Sequence, residues 1–190
     1  MLNDHALLPG DVNPYGVFVV PESRGKLNEG DILVSNFNNM ANQQGTGTTI
    51  VQFPPDGSQQ KLFAQISGRV LLIIFASLLI SSHLLASQLG DWCPGGVGLT
   101  TALVVLKNGW VIVGSLPTFN GTSVTAMPGC LIVLDCNGNV VETFHNPDIN
   151  GPWDMTVVDF GDHAVLFVTN VLNGISFLLA FSCRRSHLIS

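Results

Sequence analysis

Residues 100–146, TTALVVLKNGWVIVGSLPTFNGTSVTAMPGCLIVLDCNGNVVETFHN, constrain the fold more than any other stretch of this chain. They read as a four-stranded antiparallel β-meander. Ala102–Leu106 is a short apolar run, and Lys107-Asn108-Gly109 is a tight hairpin signal. Trp110–Ser115 is a second run, rich in β-branched residues, and a polar loop, Leu116–Pro128, leads to Cys130–Asp135. Cys136-Asn137-Gly138-Asn139 then turns the chain into Val140–Phe144. Asn-Gly supplies the positive backbone angles that two-residue hairpin turns require, so both turns have a mechanism. One meander cannot bury both of its faces, so it calls for neighbours of the same kind.

Those neighbours can be read on either side. Upstream, Val17–Val20 matches the first strand, Asp31–Asn36 the second, Thr49–Phe53 the third and Lys61–Gln65 the fourth, with Pro55-Asp56-Gly57-Ser58 as the last turn. Downstream, Asp154–Asp159 and Ala164–Asn170 match strands one and two, after which the match fades. The second strands read ILVSN, VIVGS and LFVTN. A period of roughly 50 residues is the scale of one propeller blade.

NPYGVFVVP, GDILVSNFN, NGWVIVGS, IVLDCNGNVVETF and NGPWDMTVVD resemble pieces of NHL-repeat and SMP-30/gluconolactonase-like β-propellers. The resemblance implies an all-β chain, a partial β-propeller of four-stranded antiparallel meander blades. Residues 1–66 would be blade 1, 93–146 blade 2 and 147–174 a partial blade 3, with 67–92 an apolar insertion and 175–190 a divergent tail. Closed propellers typically have four to eight blades, so two and a half blades amount to a fragment with open β-edges through which it could self-associate.

Residues 66–92 break the pattern. Val70–Ser87, VLLIIFASLLISSHLLAS, is strongly apolar, its polar residues being Ser77, Ser87 and the group Ser81, Ser82 and His83. Three readings stay open: a transmembrane helix at the lower limit of length, a helix packed over a propeller edge, or non-family sequence from a misread gene segment. The tail from Gly174 to Ser190, GISFLLAFSCRRSHLIS, shares its Leu/Ser/His character and departs where a third strand is due. Met1–Asn13 lacks the basic start and apolar stretch of a signal peptide, so any export signal would lie upstream.

Seven Lys and Arg against 13 Asp and Glu give a net charge of −6, and the one basic cluster is Arg184-Arg185. Nucleic-acid binding through phosphates is excluded on that charge pattern. Few charges and abundant Asn, Gln, Ser and Thr point to an extracellular or periplasmic surface, with membrane association through Val70–Ser87 as the variant. Cys93, Cys130, Cys136 and Cys183 form no CxxC pair and no zinc-like spacing with His. Cys130 and Cys136 bracket one strand and stand too far apart to bond; all four read as ordinary buried or turn residues.

Catalytic chemistry is hard to assemble. The histidines, His5, His83, His145, His163 and His187, are scattered, and no Ser lies in a GxSxG elbow. Pro21–Gly30 reads as a solvated charged loop. Asn36–Thr48 and Leu116–Pro128 both join strands two and three, so they emerge on one side of the sheets, where recognition loops gather. Trp110, Trp153 and Phe119 could line a ligand face, though Trp110 fits packing between blades better.

The resemblance adds a cation site, because SMP-30-like enzymes hold a divalent metal near the axis with Glu, Asn and Asp, the oxygen ligands calcium prefers. Asn150, with Gly151-Pro152 after it, looks like the family's Asn-bearing approach to a blade, and Asp154 is close by. The family's early Glu followed by Trp has no counterpart; Glu22 sits in a different context. The sequence therefore points to a scaffold for a small-molecule or protein partner, without assignable catalysis, contacted by Asn36, Asn150, Asp154 and Asn170. Its alternatives are a metal-dependent lactonase or hydrolase with Asn150 and Asp154 as calcium ligands, and a membrane-tethered surface propeller.

Overall fold

The computed structural model describes residues 10–66, 93, 100–174, 176–182 and 187–189. The chain is all-β. Its strands are β1 (Val12–Val19), β2 (Ile32–Asn38), β3 (Thr49–Phe53), β4 (Lys61–Gln65), β5 (Thr100–Val105), β6 (Val111–Ser115), β7 (Cys130–Leu134), β8 (Val140–Phe144), β9 (Pro152–Asp159), β10 (His163–Asn170), β11 (Ser176–Ser182) and β12 (His187–Ile189). They form three four-stranded antiparallel meanders, β1 to β4, β5 to β8 and β9 to β12. Among the described residues the one helical element is a single 3-10 turn, Ser123–Thr125. The helix expected within 67–92 lies outside the described residues.

The third meander corrects the sequence reading. Its expected end after Asn170 is a hairpin: β10 pairs with β11 from His163–Ser182 to Thr169–Ser176, and β11 with β12. Asn173-Gly174 supplies the turn, with Gly174 at φ 68°, the same left-handed device that Gly109 and Gly138 provide in the middle sheet. The segment expected to be a divergent tail thus carries two more strands of the sheet.

The middle sheet is covered on both faces. Leu103, Val105, Val111, Val113, Ile132 and Leu134 pack with Leu33, Ile50 and Phe63 of the first sheet. The alternate residues Ala102, Val104, Ile112, Leu131 and Val133 pack with Met155, Ala164, Leu166 and Val168 of the third. Successive side chains of a strand point to opposite faces, so a sheet buried on both must be apolar at every position. That is why β7 and β6 up to Gly114 read as apolar runs, with both strands buried throughout, whereas β10 alternates. Burying one such Leu or Ile stabilises the fold by about 1.5–3 kcal/mol.

The sheets meet through their first strands, β1 lying against β5 and β5 against β9. At the far end of β5, the turn residue Lys107 is held from both sides. Asp159 Oδ2 accepts from the Lys107 N–H at 2.7 Å, and Arg24 Nε donates to the Lys107 carbonyl at 2.7 Å. The Pro21–Gly30 loop is therefore more than a solvated loop: Leu27 is buried and the Lys26 N–H donates to the Cys136 carbonyl of the middle sheet. The two long loops do emerge together, Thr118 Oγ1 donating to the Gln44 carbonyl at 2.8 Å.

Cys93 and Cys130 form a disulfide within the first core cluster, so these two of the four cysteines are more than ordinary buried or turn residues. Cys93 lies 37 residues before its partner, too far for spacing to reveal the pair. Cys136 is free and half-buried, and Cys183 lies outside the described residues.

Candidate functional site

Each sheet carries a β-bulge at the same place, near the start of its first strand. Tyr15 and Gly16 lie opposite Ser35, and Thr101 and Ala102 opposite Gly114. Trp153 is the extra residue between Pro152, paired with Asn170, and Asp154, paired with Thr169. Bulges bend a strand and re-aim its side chains. Here they turn Tyr15, Thr101 and Trp153 out of the regular alternation, at one common end of β1, β5 and β9.

A buried polar relay fixes these ends relative to each other. Ser35 Oγ accepts from the Gly16 N–H at 3.0 Å and donates to the Thr101 carbonyl at 2.5 Å. Thr101 Oγ1 in turn donates to the Pro152 carbonyl at 2.8 Å. Ser35 and Thr101 are fully buried, where an unmade hydrogen bond would be costly. Gly16 lets the strands come this close, since a Cβ there would run into the Thr101 carbonyl oxygen and Ser35 Oγ.

An aromatic cluster sits over the relay. The Tyr15 and Trp153 rings are 4.9 Å apart edge-on, and Phe37 lies 5.4 Å from Trp153 and 5.9 Å from Tyr15. Phe37 is buried, Trp153 half-buried, and Tyr15 37% exposed. Burial raises the Tyr15 pKa above the usual phenol value, and the negative charge of Asp154 raises it further. Asp154 is exposed; its Oδ1 accepts from the Met155 N–H at 2.9 Å, and among the described residues no donor meets its other oxygen. The result is an aromatic surface bordered by an acceptor-only carboxylate.

The four residues expected from the sequence divide. Asp154 joins the cluster. Asn170 and Asn150 come together, but structurally: Asn170 Oδ1 accepts from the Asn150 N–H at 3.0 Å, and Asn170 Nδ2 donates to the Asp148 carbonyl at 2.7 Å, fastening the loop before β9. Asn36 is buried, donates to Thr49 Oγ1 at 3.0 Å, and lines a groove of about 320 Å3 on the outer face of the first sheet. The equivalent residue in the middle sheet is Ser115, buried and, among the described residues, with no hydrogen-bond partner for its hydroxyl.

Among the described residues no three His, Cys, Asp or Glu side chains cluster closely enough to hold a metal ion. His163 is exposed, paired with Asp162 at 2.7 Å and stacked on Phe160. Tyr15, Phe37 and Thr101 were missed at the sequence level. The available signal was a shared Pro-aromatic step, Pro14-Tyr15 and Pro152-Trp153, just ahead of two first strands.

No family model matches the chain, and a search of curated proteins returns no match. Among solved structures it is similar to the α-L-arabinofuranosidase Arb93A of Fusarium graminearum, in two complexes with an iminosugar inhibitor. Identity is 12% in both, with TM-scores of 0.43 and 0.44 over 88% and 90% of this chain. The chain spans 44% and 47% of those chains, less than half their length. A likeness at that level says nothing of activity.

Proposed function

We propose that the chain is a three-blade sector of a β-propeller that works as a binding scaffold, with its ligand seated on Tyr15, Trp153 and Asp154. One observation carries the reading: three successive meanders bear the same bulge at the same end of their adjacent first strands, and two of the three bulges present an aromatic ring. Propellers converge on the inner ends of such strands, which is where ligands gather in them. Half-exposed rings beside a carboxylate suit a ligand with an apolar or ring face and a hydrogen-bond-donating or cationic group. The Cys93–Cys130 disulfide favours an oxidising compartment, extracellular or periplasmic.

The test is a thermal-shift screen of two panels, neutral saccharides and organic ammonium compounds, on the wild type, Trp153→Ala and Asp154→Asn. A hit that stabilises the wild type and is lost in Trp153→Ala supports the site. Loss in Asp154→Asn as well, confined to the ammonium panel, identifies a cationic ligand. Hits whose shifts survive Trp153→Ala, or no hit in either panel, sink the reading.

A further inference from the structure

Among the described residues, the two outer sheets each carry one apolar face that no third sheet of the chain covers, and the faces are not alike. In the aligned second strands, Val34, Val113 and Val168 hold one position and Leu33, Ile112 and Phe167 the preceding one. Val113 packs toward the first sheet and Ile112 toward the third. Leu33 is buried against the middle sheet, as is Val168 from the other side. Every sheet therefore has a Val face directed back along the chain and a larger-residue face directed forward. At both internal junctions a forward face meets a backward face.

What remains is one of each. The first sheet's backward face carries the cross-strand row Val17, Val34, Val51 and Leu62, with Val17 62% and Leu62 46% exposed. The third sheet's forward face carries Phe167 beside Leu178, and Val165 beside Val158, with Val158 56% and Leu178 67% exposed. The groove of about 320 Å3 lies on the backward face between Val34, Val51, Phe53 and Leu62, a recess of the kind a forward-facing aromatic fills. Val51 is buried at the middle of its row, whereas the apolar side chains at the row edges stand in water on both outer sheets, which is costly and marks an interaction surface.

We propose that a second copy of the chain covers both faces, the third sheet of each packing on the first sheet of the other. The contact repeats one the chain already makes twice internally. Such a heterologous contact closes into a ring when the rotation allows. Closed rings of meander sheets hold about four to eight; the three sheets described in one chain become six in two copies, within that range, and nine in three copies, beyond it. The inference rests on the propeller reading above and fixes its copy number at two.

Sedimentation equilibrium of the full chain tests it. The wild type should have twice the 20.3 kDa of one chain. Val17→Lys/Leu62→Lys breaks one face and Val158→Lys/Leu178→Lys the other; all four positions are exposed in the single chain, so far-UV circular dichroism should match the wild type. Each double variant alone should lose the dimer, and an equimolar mixture should regain it, because one unaltered pair of faces remains. A monomeric wild type, a variant that still dimerises alone, or a mixture that stays monomeric overturns the proposal. A wild-type monomer that keeps its ligand shift at Trp153 refutes the second copy alone; a dimer with no shift refutes the ligand site alone.

Discussion

Thr101 Oγ1 donates to the Pro152 carbonyl oxygen at 2.8 Å, and this bond joins the middle sheet to the third at a fully buried position. Thr101→Val keeps the shape and removes the donor. Leaving the Pro152 carbonyl short of that partner should cost about 1–3 kcal/mol, read as a lower urea midpoint with an unchanged slope. An unchanged midpoint would mean that the relay does not hold the sheets.

Gly16 marks a close approach of the first two sheets, and its Cβ position is occupied by Thr101 and Ser35 atoms. Both obstructing groups are anchored, so Gly16→Ala must push β1 away from β5. Overpacking of this kind costs about 1–3 kcal/mol, and the Tyr15–Trp153 ring contact should loosen with it. Thermal denaturation and the Tyr15 titration together would register the two effects. Wild-type stability in Gly16→Ala would contradict the tight approach.

Tyr15 is the single tyrosine of the chain, so tyrosinate absorbance reports on it alone. Its pKa is raised first by burial and second by Asp154. Asp154→Asn should move the titration midpoint down toward the ordinary phenol value of about 10 without reaching it, because burial remains. With the folded pKa above the unfolded one, Tyr15 contributes stability that is complete below the unfolded value and is lost as pH rises through the folded value. A midpoint unmoved by Asp154→Asn would remove the carboxylate from the site.

The Cys93–Cys130 bridge closes a loop of sequence separation 37 that contains β5 and β6 of the middle sheet. Restricting the unfolded chain by a loop of that size stabilises a fold by about 3–4 kcal/mol in the entropic account. Reduction, or Cys93→Ser with Cys130→Ser, should lower the unfolding temperature, while Cys136→Ser should leave it unchanged. Equal effects from the three would disprove the pairing.

Much of this architecture is written in local pattern. The apolar runs of β3, β4 and β8, and the Asn-Gly turns between hairpins, are short-range signals, and their limits coincide with the strands observed. Strand β1 begins at Val12, five residues before the expected Val17, because Asn13-Pro14-Tyr15-Gly16 shows no alternation and the bulge interrupts the register. Strand β11, SFLLAFS, was hidden by its resemblance to the apolar insertion, although Asn173-Gly174 ahead of it is a hairpin signal like the other two. Of the candidate site, Trp153 and Asp154 were legible and Tyr15 was not. Asn36 and Asn170 have the right chemistry, but their side chains are engaged by Thr49 and by the Asp148–Asn150 loop, and partners of that kind depend on tertiary placement. Thr101 was illegible because its importance comes from a strand 51 residues away.

Lys107 carries a bond from the third sheet on its N–H and one from the first on its carbonyl, at the opposite end of β5 from the Ser35–Thr101–Pro152 relay. The middle sheet is thus latched at both ends to both neighbours, and its sheets should open together as one exchange unit rather than fray separately. Amide protons of β5 would then exchange only when the whole three-sheet body opens. The Lys107 turn, short and exposed as it looks in sequence, would be a poor place to cut the chain or insert into it, whereas the Asp56-Gly57 turn, where a Cβ on the glycine meets nothing within 4 Å, would accept an insertion readily.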